Sequence, residues 1–151
     1  MKSNLFIAAL ALTVGIANAQ TVKEDKVPAE VKSSLEKMYP GAKVQKWEME
    51  AGMYEAEFDN NKLETSVLMD AKGNLIKSEV EMEVKDLPKA ISEYAANELK
   101  GAKIKEGWKI TTKDKKTNYG IEVNNEDYIF DDAGKFIKKE SGKDKDDDDT
   151  K

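Results

Sequence analysis

Three of the side chains that supply most catalytic and metal-binding chemistry are absent, because the chain has no histidine, no cysteine and no arginine. Ser-His-Asp and Cys-His arrangements are therefore excluded, and the usual zinc and iron sites lose their nitrogen and sulfur ligands. Bidentate arginine clamps for phosphate or carboxylate are excluded as well. A pair of acids acting as in a glycosidase would need a buried cleft. We expect no enzyme activity and no cofactor, and a carboxylate-dependent hydrolase is the remaining catalytic alternative.

The lack of cysteine also means that no disulfide supplements the core and no lipid is attached at a cysteine. The one long apolar run, 5–16, follows a lysine and precedes a triplet of small residues. This pattern predicts a signal peptide over residues 1–19. The run is about half the roughly 20 residues that a membrane-spanning helix needs, which makes a retained anchor the weaker alternative. We expect a periplasmic or secreted protein with no membrane association after cleavage.

Positive charge is in the minority. The whole chain carries 25 basic and 30 acidic residues, and removal of Lys2 with the leader changes the formal net charge from -5 to -6. This balance argues against nucleic acid as a partner. Residues 141–151 contain no apolar side chain, so we expect a disordered acidic tail there.

The rest of the chain is duplicated with a period near 60 residues. Four pairs of segments match between the copies: 27–28 with 87–88, 41–44 with 101–104, 54–58 with 119–123, and 70–76 with 131–137. The offset drifts between the pairs, as insertions at hairpin tips would produce. We predict a linker at 20–26, a first repeat at 27–84 and a second at 85–140.

Each copy is predicted to fold as one helix followed by an antiparallel meander of about four strands. Pro28 and Pro88 suit the first turn of a helix, and Gly41 and Gly101 suit the end of one. The first helix has an apolar stripe made of Val31, Leu35 and Met38. Strand 54–58 alternates apolar residues with glutamates, which predicts one buried and one wet face. The expected fold class is α+β, with two tandem repeats in one monomer.

The chain resembles the PepSY-like family, also described as beta-lactamase-inhibitor-like. The residues that carry the resemblance are Trp47, the alternating strand 54–58 and the turn 70–73, each within the duplicated order of elements. The resemblance implies a tandem of α-β units whose sheets form a common surface, with the helices on the opposite side. It implies little about activity, because the members are mostly exported proteins of unknown role and fold does not determine function.

The first candidate site is the sheet face that points away from the helices. Seven acids are predicted there beside Lys46 and Lys77: Glu48, Glu50, Glu55, Glu57, Glu64, Glu79 and Glu81. One interpretation is a solvated face that keeps the sheet soluble. The other is a surface that attracts a basic protein or peptide.

Large side chains form the second candidate set. Trp47 and Trp108, with Met49, Met53 and Tyr128, either pack between helix and sheet or lie exposed as interface anchors. Asp70 and Asp131 each stand three residues before a turn glycine. Because the spacing lacks the alternating oxygens of a calcium loop, we expect them to cap turns.

The leading functional hypothesis is an exported, non-catalytic module that binds a protein or peptide through its shared sheet surface. The acids above, with Trp47 and Trp108, are the candidate contact residues. Such binding could take the form of non-covalent inhibition of an extracytoplasmic enzyme. The alternative is a carrier of a small ligand or divalent ion such as calcium.

Overall fold

The computed structural model describes residues 19–141, so the predicted signal peptide and acidic tail lie outside the described residues except for their last and first positions. The fold is α+β, with two helices, α1 (Ala29–Met38) and α2 (Lys89–Glu98), each preceded by a short 3₁₀ turn. Nine strands make up the rest: β1 Gln20–Thr21, β2 Val44–Glu50, β3 Met53–Asn60, β4 Leu63–Asp70, β5 Leu75–Met82, β6 Glu106–Thr112, β7 Thr117–Val123, β8 Glu126–Phe130 and β9 Phe136–Ser141.

The strands form a single antiparallel sheet in sequence order from β1 to β9. The two halves of the sheet join where β5 pairs with β6, from Lys77 opposite Thr112 to Met82 opposite Gly107. β1 lies in the segment predicted as a linker, and it extends the sheet by pairing Gln20 with Met49. The sheet therefore presents continuous faces across both halves of the chain.

Each helix packs on its own half of the sheet. Val31 and Leu35 of α1 are buried in a core cluster with Phe58 and Met69. Burial of each such large apolar side chain contributes about 1.5–3 kcal/mol. The predicted stripe is wrong at its last member, because Met38 at the end of α1 remains 37% exposed.

The second helix repeats this arrangement on strands β6 to β9. Ile91 and Ala95 of α2 are buried in a cluster with Ile121 and Phe130. The two core clusters lie on the same face of the sheet, since opposite residues in antiparallel strands share a face. The pairs Val67–Ser78, Ser78–Thr111 and Thr111–Thr117 connect this face from β4 to β7. We call the other side of the sheet the open face.

Each half has a turn that begins with an aspartate and leads into the last strand of that half, β5 or β9. Asp70 Oδ1 accepts backbone N–H bonds from the residues two and four positions further on, at 2.8 and 2.9 Å. Asp131 Oδ1 makes the same pair of bonds at 3.0 and 2.8 Å. Turn capping is therefore confirmed for both residues. Gly73 has a φ of +79°, and a β-carbon there would lie 2.6 Å from the backbone oxygen of Glu30, so this turn needs glycine to approach α1.

Candidate functional site

All seven predicted acids lie on the open face. The strand register places Glu48 opposite Glu55, and Glu57 opposite Ser66 and Lys46. Together with acids that were not predicted, the strands carry thirteen carboxylates on the open face: Glu48, Glu50, Glu55, Glu57, Asp59, Glu64, Asp70, Glu79, Glu81, Glu106, Glu122, Asp127 and Glu140. Three lysines lie on the strands of this face, Lys46, Lys77 and Lys138. Lys105, just before β6, adds a fourth ammonium, 2.8 Å from Glu122 Oε1. The face is strongly acidic across both halves.

Part of this face is closed to water, which corrects the expected fully wet surface. Glu55 is 5% exposed, Ser66 1%, Lys77 4% and Glu79 1%. The buried side chains pair with one another: the Ser66 hydroxyl on β4 donates to Glu55 Oε1 on β3 at 2.5 Å, and Lys77 Nζ donates to Glu79 Oε1, two residues further along β5, at 2.5 Å. Alternation predicted the face correctly, but it carried no information about these side-chain pairs or about their burial.

Three carboxylates converge on the first half of the open face. One oxygen from each of Glu48, Glu55 and Glu57 lies within 4.8 Å of the others. Lys46 Nζ lies 2.8 Å from Glu48 Oε1 and supplies a counter-charge. Burial raises the pKa of Glu57 to about 7, Lys46 acts in the opposite direction, and Glu55 and Glu48 raise it further. The cluster could offer three of the six to eight oxygens that calcium takes, in competition with a lysine.

Glu79 is the most enclosed acid of the open face. Burial raises its pKa to about 7, against the lowering effect of Lys77. Its Oε1 accepts the Lys77 bond, whereas Oε2 is buried without a hydrogen-bond partner among residues 19–141. A buried, unsatisfied carboxylate oxygen is costly, so this atom is a candidate contact for a ligand.

The two tryptophans lie on opposite faces of the sheet. Trp47 is opposite Ala56 and is buried in the core under α1, as the prediction of packing between helix and sheet requires. Trp108 is opposite Glu81 and Gly120 and lies on the open face, where it is 3% exposed and clusters with Ile110 and Ile129. The alternative prediction, that the tryptophans are exposed and anchor an interface, is wrong for both side chains. Trp47 is therefore removed from the candidate binding surface, and Trp108 stays as part of its apolar base.

Comparison of the two halves explains this difference. Gly107 takes the place that Trp47 has in the first half. Trp47 is opposite Ala56 and Gly107 is opposite Ile121, and these two partners occupy the same position in the two repeats. Trp108 and Gly120 then take the places of Glu48 and Glu55 on the open face. Where the first half has two facing glutamates, the second half therefore has a tryptophan that faces a glycine.

Asp127 is a buried acid that sequence reasoning missed. It is 3% exposed, and it lies opposite Glu122 and Glu140 on the open face of β8. Burial raises its pKa to about 7, and Glu122 and Glu140 raise it further. The signal available in the sequence was its alternation with Tyr128 and Phe130, which places Asp127 on the face opposite α2.

A pocket opens on this face across the boundary between the two halves. Its wall comes from five strands, β5 to β9, and consists of Lys77, Glu79, Ile110, Thr112, Asn118, Ile129 and Glu140. Sequence reasoning placed only Glu79 and Lys77 on this surface, because the rest of the wall depends on how β5 pairs with β6. The pocket combines two apolar side chains with carboxylate, ammonium, amide and hydroxyl groups.

Three solved structures with the same fold come from species of Bacteroides. A DUF2874 family protein from Bacteroides uniformis has 24% identity and a TM-score of 0.66, over 75% of this chain and 88% of that one. A BLIP-like protein from Bacteroides fragilis has 22% identity and a TM-score of 0.63, over 80% and 90%. A "putative periplasmic" protein from Bacteroides eggerthii has 20% identity and a TM-score of 0.67, over 76% and 88%. These likenesses show the fold alone.

Within the part of the chain that the structure describes, neither helix is long and apolar enough to cross a membrane. No curated protein matches the chain. The family model described as "Putative beta-lactamase-inhibitor-like, PepSY-like" matches residues 16–77 and again residues 78–138. Because these two matches cover most of its length, the chain belongs to the PepSY-like family and carries the family's domain in tandem.

Proposed function

We propose that this protein is an exported, non-catalytic binding protein that engages a basic protein or peptide through the open face of its sheet. The observation that carries the proposal is the excess of acidic side chains on one continuous, helix-free face. A cluster of like charge raises the association rate of an oppositely charged partner and repels partners of the same sign.

The shape of the face supports a macromolecular partner. Nine strands present a surface that extends over both halves of the chain, and the helices occupy only the other side. The indole of Trp108 with Ile110 and Ile129 forms an apolar base beside the acids of the first half. Because these three side chains are themselves buried, the charged side chains supply most of the surface that a partner would contact.

Export and the lack of catalysis rest on separate grounds. The predicted signal peptide places the mature chain outside the cytoplasm, and the eggerthii relative is described as periplasmic. The absence of histidine, cysteine and arginine supports a non-catalytic role. The family's description connects the fold with beta-lactamase inhibitors, so inhibition of an extracytoplasmic enzyme is the first activity to assay with an identified partner.

Peptide binding tests the proposal directly. The mature protein is titrated by calorimetry with lysine-rich peptides and with matched glutamate-rich peptides, at 50 and 500 mM sodium chloride as chosen conditions of about tenfold different ionic strength. We expect binding of the basic peptides only, weakened by salt. Affinity that is unchanged between the two salt concentrations would contradict the proposal.

Two triple variants with the same change in net charge test whether binding depends on the acids of the open face or only on the total charge. The triple variant Glu48→Gln, Glu57→Gln and Glu81→Gln removes three acids of the open face, and we expect about a tenfold loss of affinity. The control removes three exposed acids of the helices, Glu30→Gln, Glu93→Gln and Glu98→Gln. An equal loss in the control would show that net charge, and no particular face, controls binding.

Binding of a divalent ion is the second candidate function, and the convergence of Glu48, Glu55 and Glu57 favours it. A site with three carboxylates would require Lys46 to release Glu48. Calorimetric titration with calcium tests this alternative, and Glu55→Gln would abolish the heat of binding. Magnesium is the natural comparison, because it demands a tighter octahedral shell than calcium.

A further inference from the structure

We propose that the pocket between the two halves of the open face binds a primary ammonium group on an alkyl chain, with Glu79 Oε2 as its acceptor. In a peptide partner this group is a lysine side chain, so the inference rests on the proposed function and names the residue that would be recognised. The pocket is built from strands of both halves. A single repeat could not form it.

The acceptor is the first element of the argument. Glu79 is buried in the pocket wall, and its Oε2 has no partner within the described chain although Oε1 is held by Lys77. Native structures leave few buried polar atoms unsatisfied, and a bound group is one of the explanations for such an atom. The terminal torsion of a glutamate is soft, so Oε2 can turn toward the pocket while Lys77 remains bonded to the same carboxylate.

The geometry favours an ammonium over other cations. A guanidinium binds a carboxylate best through two parallel bonds, and one of the two Glu79 oxygens is already occupied by Lys77. A calcium ion would need several more oxygens than this wall presents. An ammonium is compact, and its three N–H donors do not require a planar, two-pronged acceptor. Glu140 and the Asn118 side chain lie in the same wall and offer further oxygen acceptors.

The apolar part of the wall suits the stem of the ligand. Ile110 and Ile129 are both buried and both line the pocket. A lysine keeps its methylene stem along apolar surface while the charged end reaches a polar group. The positive charge of Lys77 does not forbid a second cation, because Glu55 and Asp127 add negative potential at Glu79.

The test uses a capped lysine, N-acetyl-lysine methylamide, with capped norleucine as the analogue that lacks the amine. The ¹⁵N-labelled mature protein is titrated at pH 8, where Glu79 is mainly ionised because its pKa is about 7. We expect saturable shifts of the Asn118 and Thr112 signals with the lysine probe and none with norleucine. Equal shifts with both probes, or none with the lysine probe, would overturn the proposal.

Variants identify the acceptor. Glu79→Gln should weaken binding of the capped lysine at least about tenfold, which corresponds to loss of a charged hydrogen bond. Glu98→Gln, an exposed acid on α2, should leave it unchanged. Because Glu79→Gln removes the partner of buried Lys77 and could unfold the chain, Asn118→Phe serves as a second variant that fills the pocket and keeps the ion pair. Unaltered lysine binding by folded Asn118→Phe would refute the pocket.

The two proposals fail in different ways. If Glu79→Gln binds lysine-rich peptides as the wild type does, with the same salt dependence, the open face remains the binding surface and the pocket inference is wrong. If neither protein binds those peptides while the capped lysine still shifts Asn118, the pocket stands as a small-amine site and the proposed function is wrong.

Discussion

The indole ring of Trp108 lies against Gly120 of the neighbouring strand, so closely that a β-carbon at Gly120 would overlap ring atoms Cε2 and Nε1. In the first half of the sheet the corresponding residues are Glu48 and Glu55. The second half has therefore exchanged two carboxylates for an aromatic ring and the space that this ring requires. This exchange makes the open face asymmetric, with converging acids on one side and an apolar base on the other.

The contact between Trp108 and Gly120 predicts a strong coupling between the two positions. Gly120→Ala should destabilise the protein by about 1–3 kcal/mol, because overpacking forces the ring out of place. In a Trp108→Ala background the same glycine substitution should cost almost nothing. Urea unfolding of the four proteins measures this, and additive effects would show that the ring does not lie over the glycine.

The buried serine on the open face predicts a second effect on stability. Ser66→Ala removes the hydroxyl that donates to Glu55 and leaves that buried carboxylate with one partner fewer. We expect a loss of about 1–3 kcal/mol. Ser92→Ala, at an exposed position of α2, is the matched control and should lie within about 0.5 kcal/mol of the wild type. A Ser66 variant as stable as this control would contradict the hydrogen bond.

The buried acids predict that stability falls as the pH rises toward neutrality. Glu57, Glu79 and Asp127 each have a pKa raised to about 7, chiefly by burial. Between the ordinary carboxyl pKa and about 7, the folded state binds more protons than the unfolded state, so the free energy of unfolding decreases with pH. Denaturant unfolding at pH 5 and pH 8 should show the protein more stable at pH 5.

The Asp127→Asn variant measures how much of this pH dependence of stability comes from Asp127. The groups that face Asp127 are mainly acids, Glu122, Glu140 and Glu106, with Lys105 as the weaker opposing charge. An amide that cannot ionise should therefore stabilise the protein by about 1–3 kcal/mol at pH 8 and have little effect at pH 5. Asp114→Asn, in an exposed turn, should leave the slope unchanged. A variant with the full wild-type slope would show that Asp127 ionises normally.

Burial of both indoles predicts weak quenching of tryptophan fluorescence by acrylamide. Trp47 is 5% exposed and Trp108 is 3% exposed, so the neutral quencher should reach neither ring in the folded protein. Urea-unfolded protein provides the fully accessible reference. Trp47→Phe isolates the Trp108 signal, and strong quenching of that signal would mean that the open face exposes its aromatic residue.

Much of the fold was predictable because its signals are local. The helix stripe around Val31 and Leu35 and the aspartate turns each depend on residues a few positions apart. The prediction failed at Met38, the last residue of α1, which remains exposed. Duplication identified the two halves, and alternation along the strands of the first half placed all seven acids on the correct face.

The tryptophans show where local signals mislead. Trp47 and Trp108 are separated by nearly one repeat and look equivalent, but the register matches Trp47 with Gly107 instead. A shift of one residue along a strand reverses the face to which a side chain points. Only the pairing of β6 with β7 reveals that Trp108 lies on the open face.

The sequence by itself determined the duplicated α+β plan, the antiparallel strands and the acidic character of the face without helices. These properties follow from periodicity, turn residues and charge, which neighbouring residues specify. Only the tertiary structure decided that Glu55, Glu79 and Asp127 are buried, and that a pocket joins the two halves. Burial depends on side chains from strands that are distant in sequence, and no local pattern records which of them meet.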